Sequence, residues 1–259
     1  MFGGRFSRRQ VLRRFAASAA APAMLSGVAE AQDTRPFSST GAEQAAIAQP
    51  TGTCVLLPQA VEGPYYFDPK LIRSDITEGR PGAPLKLMLR VIEAGPCTAM
   101  SNLRVDIWHA DAGGVYSGYA DQGRDRTVST KGQTYLRGTQ MTGADGLVTF
   151  QSVFPGWYPG RTPHIHVKVF LDTQTLVTGQ VYFPDDLAAK IYATREPYNL
   201  RPTPDTTNAT DFIFRTGERE GGGIVLNVSE ANGGFVAAVL IAVDKSGQAA
   251  RKAEGPGGF

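Results

Sequence analysis

From residue 85 onward the chain is divided into short runs of β-branched, aromatic and aliphatic residues by Gly, Pro and Asn-Gly or Asp-Gly pairs, and that rhythm most limits its fold. The runs are Leu85 to Ile92, Leu103 to Trp108, Leu147 to Phe150, His164 to Leu171, Leu176 to Tyr182, Gly223 to Val228 and Phe235 to Val243. Asp145-Gly146 and Asn232-Gly233-Gly234 fall between runs and predict hairpin turns. A short helical pattern stands against them, Asp185 to Thr194, with Leu187 and Ile191 four apart. The pattern predicts one all-β domain. Its 259 residues, 42% hydrophobic with 30 Gly and 17 Pro, can bury a sizeable core and are too apolar for a disordered chain. Two connections, Ala110 to Arg137 and Tyr198 to Thr210, are long for a compact domain, and loops of that length often carry function.

The N-terminus predicts export. A basic stretch from Arg5 to Arg14 precedes an Ala-rich apolar run, Phe15 to Val28, and then Ala29-Glu30-Ala31, which fits an A-x-A cleavage site. Ser7-Arg8-Arg9-Gln10-Val11-Leu12 resembles the twin-arginine signal, which implies a bacterial protein delivered folded to the periplasm or beyond. The expected organisation is a signal peptide at 1–31, a flexible arm at 32–52, the domain at 53–244 and a polar, fraying tail at 245–259. Loss of the signal moves the formal charge from +2 to −2, so the sequence pI near 8.5 belongs to the precursor and no nucleic-acid footprint remains. No later segment approaches the apolar length of a membrane span. In an exported chain, Cys54 and Cys97 are expected to pair as a disulfide, closing a loop worth about 3 to 4 kcal/mol.

Two of the three histidines stand in Arg161-Thr162-Pro163-His164-Ile165-His166. On a strand, His164 and His166 point to one face while Ile165 and Val167 fill the other, which makes a metal edge; polar strand faces carry such pairs without metal too. Upstream, Phe154 to Arg161 is a Pro/Gly-punctuated loop bearing Tyr158, and Val105 to Tyr119 runs from a strand into a loop bearing Tyr116. No carboxylate is placed for a two-histidine, one-carboxylate ferrous site, whereas two phenolates and two imidazoles suit a hard trivalent ion. His109, beside Trp108, reads as a hydrogen-bonded structural histidine. Asn208-Ala209-Thr210 and Asn227-Val228-Ser229 match the glycosylation pattern but read as polar loop or strand residues.

The stretches Leu57 to Tyr66, Val105 to Tyr119, Tyr158 to His166 and Gly179 to Phe183 together resemble the intradiol ring-cleavage dioxygenases, the family of catechol 1,2-dioxygenase and protocatechuate 3,4-dioxygenase, and especially its small exported members. The resemblance implies a two-sheet β-sandwich with the metal near one edge under long loops. It implies one Fe(III) per chain held by Tyr116, Tyr158, His164 and His166, with Arg161 and Gln180 beside it. It also implies a catechol-type substrate cleaved with O2 to a muconate-type diacid, with Tyr158 leaving the metal to accept a proton. Leu57, Pro58, Gly63, Pro64, Tyr65 and Trp157 are the expected pocket wall. Homo-oligomers are common in such a family, though no helical dimerisation segment is evident here. Two rivals remain open: a zinc or copper hydrolase using the same histidine pair, and a β-sandwich binding module that has lost catalysis.

Overall fold

The computed structural model describes residues 54, 56–219 and 223–250; the signal peptide and arm expected at 1–31 and 32–52 lie outside them. The strands are β1 (Pro84–Glu93), β2 (Arg104–Trp108), β3 (Arg137–Met141), β4 (Leu147–Val153), β5 (His164–Leu171), β6 (Gln174–Tyr182), β7 (Ile224–Val225), β8 (Asn227–Ala231) and β9 (Gly234–Val243). They form two mixed sheets, ordered β4-β1-β9-β8 and β3-β2-β5-β6-β7, in which β1/β9 and β6/β7 are parallel pairs. Helix α1 (Asp185–Thr194), a 3₁₀ turn (Tyr198–Leu200) and α2 (Phe212–Arg219) follow β6. No helix among the described residues is long and apolar enough to cross a membrane.

Strand alternation builds the sandwich. Leu85, Leu87, Leu89 and Val91 of β1 share one buried core with Val105 and Ile107 of β2, Ile165, Val167 and Val169 of β5, and Phe235, Ala237, Val239 and Ile241 of β9. Each such Val, Leu, Ile or Phe side chain taken from water contributes about 1.5–3 kcal/mol. The period of two then sends Asp106, Trp108, His164, His166, Lys168, Thr178 and Gln180 to the opposite face of the five-stranded sheet. That outer face carries the site. The histidines stand on β5, the central strand of their sheet.

Three sequence expectations change. β3 lies outside every run that the sequence marks as a strand, because Arg137-Gly138-Thr139-Gln140-Met141 has no apolar alternation; it is a strand because it pairs with β2, Thr139 opposite Asp106. A Cβ on Gly138 would lie 2.5 Å from Ile76 Cγ2, so only the missing side chain lets the 73–76 segment cross it. Asp145-Gly146 does not close a hairpin. β3 pairs with β2 and β4 with β1, so the turn, with Gly146 at φ +76°, carries the chain from one sheet to the other. Asn232 and Gly233 do close the β8–β9 hairpin, with φ of +49° and +79°. Residues 245–250, expected to fray, turn under the Asp244 carboxylate, which accepts from the Ser246 and Gln248 amides, and Ala250 is buried. The Cys54–Cys97 disulfide is present, spanning 43 positions.

Candidate metal centre

The sheet register assembles one half of the site. Trp108 pairs with Arg137 on one side and His166 on the other, His166 pairs with Gln180, and His164 pairs with Tyr182. A row of polar and aromatic side chains thus crosses the outer face. His166 lies flat on the Trp108 indole, with centroids 4.7 Å apart and 12° between planes. Among the described residues its Nδ1 has no hydrogen-bond partner, and the stacked indole orients this ring. His164 is oriented differently: its Nδ1–H donates to the Thr162 carbonyl at 2.7 Å, which leaves the Nε2 lone pair facing the cluster.

Two loops bring the other half. Asp111 organises the first, its Oδ1 accepting from the Gly113 and Val115 amides while Oδ2 pairs with Arg80. Tyr116 follows, its amide donating to Gln122 Oε1 and its carbonyl accepting from Thr130 Oγ1. The second loop, 154–161, packs back-to-back on the first: Gly156 N–H donates to the Asp111 carbonyl at 3.0 Å. Gly114, at φ +76°, faces the Trp157 carbonyl so closely that a Cβ there would be 2.2 Å away. Arg201 clamps both loops, donating to the Ala112 carbonyl at 2.9 Å and the Trp157 carbonyl at 2.7 Å.

The four expected ligand side chains converge. Tyr116 Oη lies 3.4 Å from Tyr158 Oη, 3.4 Å from His164 Nε2 and 3.2 Å from His166 Nε2. His164 Nε2 is 3.2 Å from both Tyr158 Oη and His166 Nε2. Donors so spaced surround a point ~2.0 Å from each, the usual length of a first-row metal bond to oxygen or imidazole nitrogen. The donor set therefore fits a metal ion. Burial pushes the Tyr116 phenol well above its usual range and both imidazoles well below theirs, with Arg161 adding to the latter. Tyr158 is also raised by burial, against the pull of Arg161. Neutral imidazoles are ready ligands, whereas buried phenols ionise only beside a compensating cation. Among the described residues no group of three or more His, Cys, Asp or Glu gathers elsewhere to offer a rival metal site.

Arg161 and Gln180 stand beside the cluster. Arg161 directs one NH group toward Tyr158 Oη at 3.4 Å and the other to Gln180 Oε1 at 2.5 Å. Gln180 also accepts from the Tyr182 hydroxyl and donates to the Val61 carbonyl. Behind Arg161 sits Asp211, fully buried, its Oδ2 taking Nε at 2.8 Å. Sequence reasoning missed Asp211 and Arg201; an Asp directly before Phe212-Ile213-Phe214 is an N-cap signal that could have exposed the first.

The expected pocket residues divide. Tyr65 stacks on Tyr116 at 4.6 Å, and a Cβ on Gly63 would be 3.5 Å from His166 Cε1, so the exposed Gly63-Pro64 pair and Tyr65 border the site. Leu57 and Trp157 belong to the hydrophobic core, and Leu57 and Pro58 pack on Gly179. His109 is structural, donating from Nδ1 to the Ala110 carbonyl and accepting from Ser152 Oγ, with burial pushing its pKa down to about 4.

A sequence model of the family described as Dioxygenase matches residues 61–196, which hold all four converging donors. An intradiol ring-cleavage dioxygenase from Tetranychus urticae is 31% identical with a TM-score of 0.66, covering 74% of this chain and 95% of that one. The dioxygenase domain of a dioxygenase carbohydrate-binding protein fusion from Streptomyces sp. SirexAA-E is 31% identical with a TM-score of 0.53, covering 73% and 99%. The protocatechuate 3,4-dioxygenase beta chain of Burkholderia cepacia is 34% identical over 131 residues, 46% of this chain and 53% of its own. The chlorocatechol 1,2-dioxygenase of Cupriavidus pinatubonensis is 25% identical over 148 residues, 48% and 53%. The chain thus spans about half the length of these curated relatives. From the family match, and from fold similarity reaching 95% of a solved relative at 31% identity, this chain belongs to the intradiol ring-cleavage dioxygenases.

Proposed function

We propose that Tyr116, Tyr158, His164 and His166 hold one Fe(III) per chain, and that the enzyme uses it to open a catechol-type ring with O2, giving a muconate-type diacid. The observation that carries this reading is the convergence of two phenol oxygens and two imidazole nitrogens at 3.2–3.4 Å spacing. When bound, a ferric ion supplies the Lewis acidity that draws electron density from a catecholate and opens it to dioxygen.

The protein's own groups do the rest. Tyr158 is less enclosed than Tyr116 and lies beside Arg161, so its Oη is the atom placed to take a proton from a substrate hydroxyl. Arg161 then offers N–H groups to negative charge developing on the ring, and Gln180 holds that guanidinium in direction. Tyr65 and the Gly63-Pro64 pair border the approach, and the missing side chain at Gly63 leaves space beside His166. A hydrolase reading leaves both tyrosines unused, and a binding module has no need of four converging donors. Delivery through a twin-arginine signal is part of the proposal, since it allows metal capture before export.

Purified protein should be burgundy from a tyrosinate-to-iron band, carry iron by elemental analysis and consume oxygen with a member of a catechol panel. A folded, fully metallated but colourless preparation, or none of the panel consumed by iron-loaded protein, sinks the reading.

A further inference from the structure

We infer that Asp211, at the N-terminus of α2, is a positioning residue for this site, setting the direction of Arg161 and, through the Thr162 peptide, of His164. The inference rests on the proposed reading of the metal centre.

The carboxylate has no exposure and divides its two oxygens between two tasks. Oδ1 accepts from the Ile213 and Phe214 amides at 2.8 and 3.0 Å, an ordinary helix cap. Oδ2 turns the other way and accepts from Arg161 Nε at 2.8 Å and Thr162 N–H at 2.9 Å. A cap needs only the first oxygen, and an uncharged Ser, Thr or Asn would serve. Burying a whole carboxylate is costly unless it is paired and hydrogen-bonded on every side, so its retention here points to the second oxygen.

What Oδ2 holds is the approach to the cluster. With Nε anchored, the planar guanidinium can rotate little, and its two NH groups face Tyr158 Oη and Gln180 Oε1. The Thr162 carbonyl, on the same residue whose N–H is held, accepts the His164 Nδ1–H at 2.7 Å. Asn208 secures this residue from the side, accepting from Thr162 Oγ1 at 3.0 Å. One carboxylate thus stands behind both the cation and an imidazole, and its charge offsets that of an arginine lying beside a cation site.

The test compares iron-loaded wild type with Asp211→Ser, which keeps the cap but cannot reach Arg161, Asp211→Asn, which keeps the shape, and Asp211→Glu, which keeps the charge. Readouts are thermal unfolding, iron content, the visible band, anaerobic binding of catechol followed through that band, and kcat and KM. Well below their melting temperatures, the Ser and Asn variants should hold iron yet show a shifted band, weaker anaerobic catechol binding and a kcat/KM lower by about 10- to 100-fold, with Glu recovering part of the loss. If Asp211→Ser does not fold, Asp211→Asn decides on the same readouts. Folded variants with wild-type band, catechol affinity and turnover reduce Asp211 to a cap and overturn the inference alone. Wild type showing neither band nor oxygen uptake overturns the ferric reading and this inference with it.

Discussion

Gly156 is where the two tyrosine loops meet, and replacing it with Ala tests whether their contact sets the donor spacing. An ideal Cβ at this position would lie 2.4 Å from the Ala112 carbonyl oxygen, 2.5 Å from that of Asp111 and 2.6 Å from the Ala112 carbonyl carbon. All three are backbone atoms and cannot rotate away. Restoring even a tight 3.0 Å contact separates the loops by about 0.6 Å, and Tyr116 and Tyr158 lie only four and two residues from the contact. Their hydroxyls, now 3.4 Å apart, would separate correspondingly, which stretches the donor set beyond the spacing that puts every donor ~2.0 Å from one point. Overpacking of this kind costs about 1–3 kcal/mol. At 2 kcal/mol, a domain of this size melts roughly 4–8 °C lower. The diagnostic effect is on metal: iron affinity, measured by competition with a chelator, should fall about 10- to 100-fold, and the visible band should shift or fade. Gly160→Ala is the control. It sits in the same loop at φ +79° with no described residue within 4 Å of its Cβ, so it carries backbone strain of about 1–2 kcal/mol and should leave iron binding alone. A Gly156→Ala protein with wild-type iron affinity and absorption refutes the argument that loop contact sets the site.

Arg201→Lys cannot donate to the Ala112 and Trp157 carbonyls together, so it should lose about 2 kcal/mol in urea unfolding and surrender iron to a chelator faster; unchanged release would show that the clamp is dispensable. His109 has a folded-state pKa of about 4 against 6.5 when unfolded, so the unfolded chain binds the extra proton and stability falls as pH drops from 6.5 through 4. Wild type should therefore lose about 3 kcal/mol more than His109→Gln across that window, and parallel pH profiles would refute a buried neutral imidazole. Replacing both cysteines with Ser opens a loop of 43 positions and should cost about 4 kcal/mol without altering the visible band; a colour change would mean that the disulfide shapes the site directly.

The parts legible in the sequence are those that short-range geometry dictates. Alternation along β1 and β5, and the unbroken apolar run of β9, announce strands; because a pleated backbone sends successive side chains to opposite faces, His164 and His166 fall on one side of β5 without any knowledge of the fold. The α1 boundaries, Asp185 to Thr194, follow the apolar spacing within one helix. The tyrosines entered through family resemblance, since nothing local distinguishes Tyr116 from another loop residue. β3 escaped because its strand state comes from a partner, and Asp145-Gly146 misled because a turn signal does not say which sheet receives the next strand.

By itself, then, the sequence determined an all-β chain with a paired-histidine strand face, because these are properties of neighbours along the backbone. Tertiary structure alone decided that this face is the outer side of the central strand, that Gly114 and Gly156 let two loops close to backbone contact, and that Asp211 and Arg201 come in from beyond β6 to hold Arg161 and the loops. Those relations join residues some 45 to 90 positions apart, and only the packed chain brings such distant groups within hydrogen-bonding reach.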